Sequence, residues 1–122
     1  MTEVNKRKPK KITTKVLDKA FSLFIRKRDG QCMRCGAKDK PLFCAHYHSR
    51  VAMSVRWSPF NAISCCYGCH RFLESRKTVE HKDLMYKVFG RPAMDKLEKE
   101  YRKLKIGGFS EKEKIALLRK FK

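Results

Sequence analysis

The sequence predicts a small α+β protein: a metal-pinned core of two strands and a helix, flanked by helices on both sides. Three observations carry this. Two CxxC knuckles, Cys32-Met33-Arg34-Cys35 and Cys66-Tyr67-Gly68-Cys69, are separated by 30 residues. The chain between them reads as extended segments and turns. The chain before and after them carries apolar stripes at helical spacing.

The elements follow in order. Residues 1–12 are rich in Lys and Arg, contain Pro9 and show no periodicity, so they read as a basic arm. Thr13 or Thr14 caps a helix running to about Arg28, with Val16, Leu17, Ala20, Phe21, Phe24 and Ile25 as its core stripe. Asp29-Gly30 stops it. The first knuckle turns over Cys32–Gly36. Residues 41–48 read as a strand, and 51–57 as an irregular return. Ser58–Asn61 is a turn, and 62–66 a short extended piece entering the second knuckle. A helix opens near Tyr67–Gly68 and carries His70. Thr78 caps a helix with Leu84, Met85, Val88 and Phe89 on one face, ended by Gly90-Arg91-Pro92. Met94, Leu97, Tyr101 and Leu104 mark the next helix, stopped by Gly107-Gly108. Ser110 with Glu113 forms a capping box for a last helix bearing Ile115, Leu117, Leu118 and Phe121. The divisions expected are an arm (1–12), a core domain with its leading helix (13–90) and a C-terminal helical extension (91–122).

Charge points to the partner. The chain has 122 residues, with 31 Lys+Arg against 12 Asp+Glu and a formal net charge of +19. Such a surface attracts phosphates, so the expected partner is nucleic acid, ahead of an anionic membrane surface. No apolar stretch is long enough for a secretory leader or a membrane span, so a cytoplasmic protein is expected. A small core poor in long apolar runs benefits from a structural metal.

Zinc prefers tetrahedral thiolate and imidazole ligands, and a CxxC turn puts two sulfurs on one side of the ion. Two such turns complete a closed shell. Cys32, Cys35, Cys66 and Cys69 are therefore assigned to a structural Zn2+ site. In the absence of a secretory leader, metal binding is preferred to disulfides, and the βαβ context of a redox pair is missing. Cys44 and Cys65 sit in apolar context and read as small buried side chains. Trp57 reads as packing over the zinc module.

The order of residues adds chemistry. His46 ends the first strand, Asn61 lies in the following turn, and His70 follows the second knuckle directly. The intervals are 15 residues from His46 to Asn61 and 9 from Asn61 to His70. Over residues 30–75 this resembles HNH nucleases of the zinc-knuckle type (treble-clef, ββα-metal). The wider phrase Cys44-Ala45-His46, Ser49-Arg50, Arg56-Trp57-Ser58-Pro59-Phe60-Asn61-Ala62 and Cys66-x-x-Cys69-His70 resembles phage-borne HNH recombination endonucleases.

The resemblance implies roles. His46 is the general base, Asn61 orients its ring through a hydrogen bond, and His70 binds a catalytic divalent cation, Mg2+ or Mn2+. The family often has an acid or second His just before the base, where this chain has Ala45. Glu74, four residues after His70 on the same helix face, and His48, on the same strand face as His46, are the substitutes, and Glu74 is preferred. His81 is a third candidate, read as a solvated side chain. Arg50, Arg56 and Arg71 are candidates for phosphate contact, because a guanidinium matches phosphate geometry.

The function implied is metal-dependent hydrolysis of DNA phosphodiesters, with branched recombination intermediates (Holliday-junction-like) as the suggested substrate in phage DNA metabolism, in the cytoplasm of a bacterial host. The alternatives are a non-catalytic zinc-knuckle nucleic-acid binder and a structural protein on a large RNA or phage assembly. The amphipathic C-terminal helices offer apolar surface either for a homodimer or for the domain's own core, and both readings stay open.

Overall fold

The structure, a computed structural model, describes residues 11–75, 79–103, 105 and 108–121. Most of the basic arm, Thr78, Leu104 and Gly107 lie outside the described residues.

Helix α1 spans Thr14–Asp29. Thr13 caps it, its hydroxyl accepting from the Val16 N–H at 3.2 Å. Gly30, at φ 67°, closes the other end and donates its N–H to the Arg26 carbonyl. That left-handed conformation is one a side chain at position 30 would resist. Leu17, Phe21 and Ile25 are buried. Strand β1 (Leu42–His46) pairs antiparallel with β2 (Ala62–Cys66), with Leu42 opposite Cys66 and His46 opposite Ala62. The predicted first strand is thus shorter at both ends. The return between the strands carries 3₁₀ turns at Met53–Val55 and Pro59–Asn61.

Helix α2 (Tyr67–Ser75) starts inside the second knuckle; α3 (Val79–Phe89), α4 (Arg91–Tyr101) and α5 (Glu111–Phe121) follow. The predicted capping box at α5 is present. The Glu113 N–H donates to the Ser110 hydroxyl at 3.2 Å, and the Ser110 N–H donates to the Glu113 carboxylate at 2.8 Å.

The hairpin separates two apolar clusters. On one side Ala45, Val55, Ile63, Cys65 and Leu73 pack with Met85 of α3 and Met94 and Leu97 of α4. On the other, Leu17, Phe21 and Ile25 of α1 pack with Trp57, Ala62 and Phe121 of α5. The C-terminal helices therefore supply core side chains. Trp57 lies in the α1–α5 cluster, its ring against Phe109. This corrects its expected place over the zinc module: its indole N–H donates to Asp18 at 2.9 Å, which draws it toward α1. The end of α1 is stitched to β2, since Arg28 donates to the carbonyls of Pro59 and Ala62 while Asp29 accepts from the Ser64 N–H at 2.8 Å.

Candidate metal centre and cleft

The first knuckle is shaped by backbone hydrogen bonds. The Cys32 N–H donates to Ala37 O at 2.9 Å and the Gly36 N–H to Cys32 O at 2.8 Å, with Gly36 at φ 81°. The Met33 N–H donates to Ser64 O at 2.8 Å, which hangs the knuckle on β2. The second knuckle is the junction of β2 and α2, so the helix turn itself places Cys69 beside Cys66. The four sulfurs of Cys32, Cys35, Cys66 and Cys69 all lie within 4.8 Å of one another. A tetrahedral zinc with Zn–S near 2.3 Å needs sulfurs about 3.8 Å apart. The 3.9 Å between the Cys35 and Cys66 sulfurs fits that shell. These four residues could hold a structural zinc.

Crowding sets the ionisation of these thiols against one another. Burial, then the neighbouring sulfurs of Cys66, Cys32 and Cys35, push Cys69 up to about 12. Burial also opposes the Cys32 thiolate, but backbone N–H groups of Cys35, Cys66 and Arg34 draw it down to about 6. A divalent cation removes the conflict by favouring thiolate at every position. Arg34 adds a second layer: its guanidinium donates to the Cys69 sulfur at 3.4 Å and lies 3.8 Å over the Phe72 ring. Burial pushes the thiols of Cys44 and Cys65 up, consistent with packing roles.

Beside the hairpin and α2 lies a cavity of about 550 Å³ lined by Ala45, His46, Arg50, His70, Glu74 and His81, among others. The structure thus brings His46, His70, Glu74 and Arg50 around one space. The His46 Nε2 lies 3.1 Å from the Arg56 carbonyl oxygen. A carbonyl only accepts, so Nε2 carries the proton and Nδ1 keeps a free lone pair. Burial, with the nearby Arg50 charge in support, pulls the His46 pKa below the ordinary 6.5. His70 is half-buried and its ring lies parallel to that of Phe43, 6.2 Å away.

Asn61 is placed differently from its expected role. It is fully buried, and its side chain does not hold the His46 ring, which the Arg56 carbonyl orients instead. The Asn61 amide oxygen accepts from the His48 N–H at 2.8 Å and its NH2 donates to the His48 carbonyl at 3.1 Å. With the Tyr47 N–H to Asn61 O bond at 2.7 Å, these close the mouth of the hairpin just beyond His46. The reason is register. His46 is opposite Ala62, so Asn61 faces the chain beyond the strand rather than the ring.

The arginines also divide. Arg56 is committed: it makes two hydrogen bonds to Asp18, at 3.1 and 2.6 Å, and a third to the Arg50 carbonyl. The sequence expects Arg56 to contact substrate; in this fold its guanidinium is bonded to Asp18 and it is not among the cavity's lining residues. Arg50 is loosely held, 3.6 Å from Asp18 with a side chain 61% exposed, and it lines the cavity. Arg71 is exposed on α2, bonded to the Tyr67 hydroxyl at 3.0 Å, and is not among the cavity's lining residues. The hub of this network, Asp18, was missed. Burial opposes its charge, but hydrogen bonds from Arg56 and Trp57 outweigh that and hold its carboxyl below the usual range. An acid set among the basic residues of α1 was its sequence cue.

His48 is not a cavity ligand. Its Nε2 lies 2.8 Å from the Glu98 carboxylate and its ring stacks on Tyr101 at 3.7 Å. His81 corrects the sequence reading in the opposite direction. It is 3% exposed and lines the cavity, and its Nε2 has no hydrogen-bond partner. Burial pushes it down to about 4, with His48 and His70 adding to the effect. Among the described residues, the cysteine cluster is the one group of three or more His, Cys, Asp or Glu gathered closely enough to hold a metal ion.

These features define a class: a small α+β protein built on a paired cysteine knuckle, with a histidine-lined cleft against its hairpin. Within that class the chain belongs to the family of the bacteriophage lambda NinG protein, whose family model matches residues 2–120. No curated protein and no solved structure matches the chain. Among the described residues, no helix is long and apolar enough to cross a membrane.

Proposed function

We propose that the protein is a metal-dependent DNA endonuclease of the HNH type, acting on branched intermediates in phage DNA metabolism. The observation that carries this reading is the shared cavity of His46, His70, Glu74 and Arg50, with His46 fixed as the Nε2–H tautomer. Membership of the NinG family supports a role in phage DNA metabolism. The net charge of +19 supports a polyanionic substrate.

The chain's own groups suit the task. His46 is neutral near pH 7 and accepts a proton from water at Nδ1 as the water oxygen attacks phosphorus. The bond from phosphorus to the 3′ oxygen breaks, and that oxygen leaves with a proton from solvent. The Arg56 carbonyl steadies the imidazolium that forms, because Nε2–H already points at it. Arg50, held only loosely by Asp18, can reach a phosphate oxygen. Asn61 keeps the hairpin mouth closed, so His46 stays aimed. His70 and Glu74 are the residues that would hold a divalent cation. When bound, that cation supplies charge neutralisation at the phosphate and the leaving oxygen.

The fit of those two residues rests on their donor chemistry, imidazole and carboxylate lining one cavity, which suits Mg2+ or Mn2+. Phosphate contacts carry no base information, so weak sequence preference is expected. The test is nicking of supercoiled plasmid and of a synthetic four-way junction with Mg2+, Mn2+ or EDTA. Cutting that needs the cation supports the reading. Tight binding with no cutting in any metal would leave a non-catalytic zinc-knuckle binder.

A further inference from the structure

Among the described residues, His81 is the one buried histidine whose ring nitrogen Nε2 has no hydrogen-bond partner and no part in the proposed chemistry. It enters the cavity wall from α3, an element outside the hairpin and α2. Its ring meets Tyr47 edge-on, with centroids 5.1 Å apart, and this contact gives Nε2 no hydrogen bond. An unpaired buried polar nitrogen is costly, so such groups are retained where something else takes the lone pair. The same cavity lacks a donor elsewhere: Ala45, 2% exposed, lines it from the position next to His46 and offers only a methyl group. One wall offers only a methyl group, and another holds an imidazole whose Nε2 has no hydrogen-bond partner.

We propose that His81 is a ligand of the divalent cation in this cavity, through Nε2, together with His70 and Glu74. The inference rests on the reading of the cavity as a cation site, and it gives the third ligand a source on α3. His81 is buried and His70 half-buried on their helices, whereas Glu74 is exposed and its carboxylate sits on a flexible stem. Among the described residues these three are not already gathered as a ligand group, so binding requires their side chains to draw together around the ion. A site of two imidazoles and one carboxylate leaves positions open for water and phosphate oxygens, and Mn2+ serves as its paramagnetic probe.

The test measures Mn2+ binding to the zinc-loaded, full-length chain by electron paramagnetic resonance. Three proteins are compared: wild type, His81→Phe and His81→Asn. The Phe variant fills the buried volume without a donor, and circular-dichroism melts report whether each variant keeps the fold. Loss of a direct ligand weakens binding by about tenfold or more, judging by the 10–100-fold effect of losing mere supporting groups. In wild type, Cd2+ titration followed by 15N NMR should move the His81 Nε2 resonance to the metal-bound range. This readout needs no variant. A wild-type chain that binds Mn2+ and cuts DNA, with both variants binding equally well and the Nε2 resonance unmoved, would overturn the inference while leaving the nuclease reading intact. A wild-type chain that binds no Mn2+ overturns both.

Discussion

Asn61→Ala should destabilise the protein without touching the His46 ring. Asn61 is fully buried, and its amide makes two hydrogen bonds to the backbone of His48, at 2.8 and 3.1 Å. Truncation leaves the His48 N–H and C=O facing a small void. A buried polar group that loses its partner costs about 1–3 kcal/mol. Because these backbone groups are only part-buried, the lower half applies, and the total is about 2–4 kcal/mol. For a chain of this size about 1 kcal/mol shifts Tm by roughly 4 °C, so a fall of about 8–16 °C is expected. Asn61→Asp should be no milder, since it replaces the donor to the His48 carbonyl with a buried negative charge. The assay is urea unfolding of the zinc-loaded protein followed by the fluorescence of Trp57, which is buried in the α1–α5 cluster. A loss below about 0.5 kcal/mol with an unchanged denaturant slope would refute the assignment of Asn61 as the clasp of the hairpin.

Four further outcomes are expected. Removing zinc with a chelator, or replacing Cys66 with Ser, should abolish cooperative unfolding of the hairpin and α2, seen as a broad melt by circular dichroism. Arg56→Ala should lower stability by about 1–3 kcal/mol, because it strips Asp18 of two hydrogen bonds, whereas Arg50→Ala should leave Tm unchanged and raise KM for DNA; equal effects in unfolding and binding assays would contradict the division. The His46 pKa is lowered by burial, so its neutral form dominates above a value under 6.5. Cleavage under kcat/KM conditions should therefore rise with pH below 6.5 and level off above it; a rising limb centred above pH 7 would point to a different base. Ser110→Ala should cost about 1 kcal/mol by removing one half of the capping box at α5, measured as a shift in the urea midpoint.

What was legible in the sequence was local. Ligand spacing within each CxxC turn is set by a few bonds, so the cysteine cluster could be read before any fold was known. The α1 stripe, the Gly30 stop and the Ser110–Glu113 box depend on neighbours three or four residues apart, and they were equally visible. The misreadings depend on register and packing between distant segments. Asn61 meets His48 rather than the His46 ring because β1 and β2 pair with His46 opposite Ala62, a choice no local pattern encodes. Asp18 gathers Arg50, Arg56 and Trp57 from a return about forty residues away, and Trp57 follows it out of the zinc module. His81 did carry a usable cue: it stands four residues before Met85 and so on the same face as that buried residue, which marks it as interior rather than solvated.

In the proposed reaction His46, held by the Arg56 carbonyl with Nδ1 free, removes a proton from the attacking water. The most direct measurement is single-turnover cleavage of an end-labelled four-way junction, at saturating protein and with Mn2+, by wild type and by His46→Ala. A fall of about 10²–10⁴-fold in rate with unchanged affinity for the junction is expected. Equal rates for the two proteins, or no cleavage by wild type in any divalent cation, would contradict it.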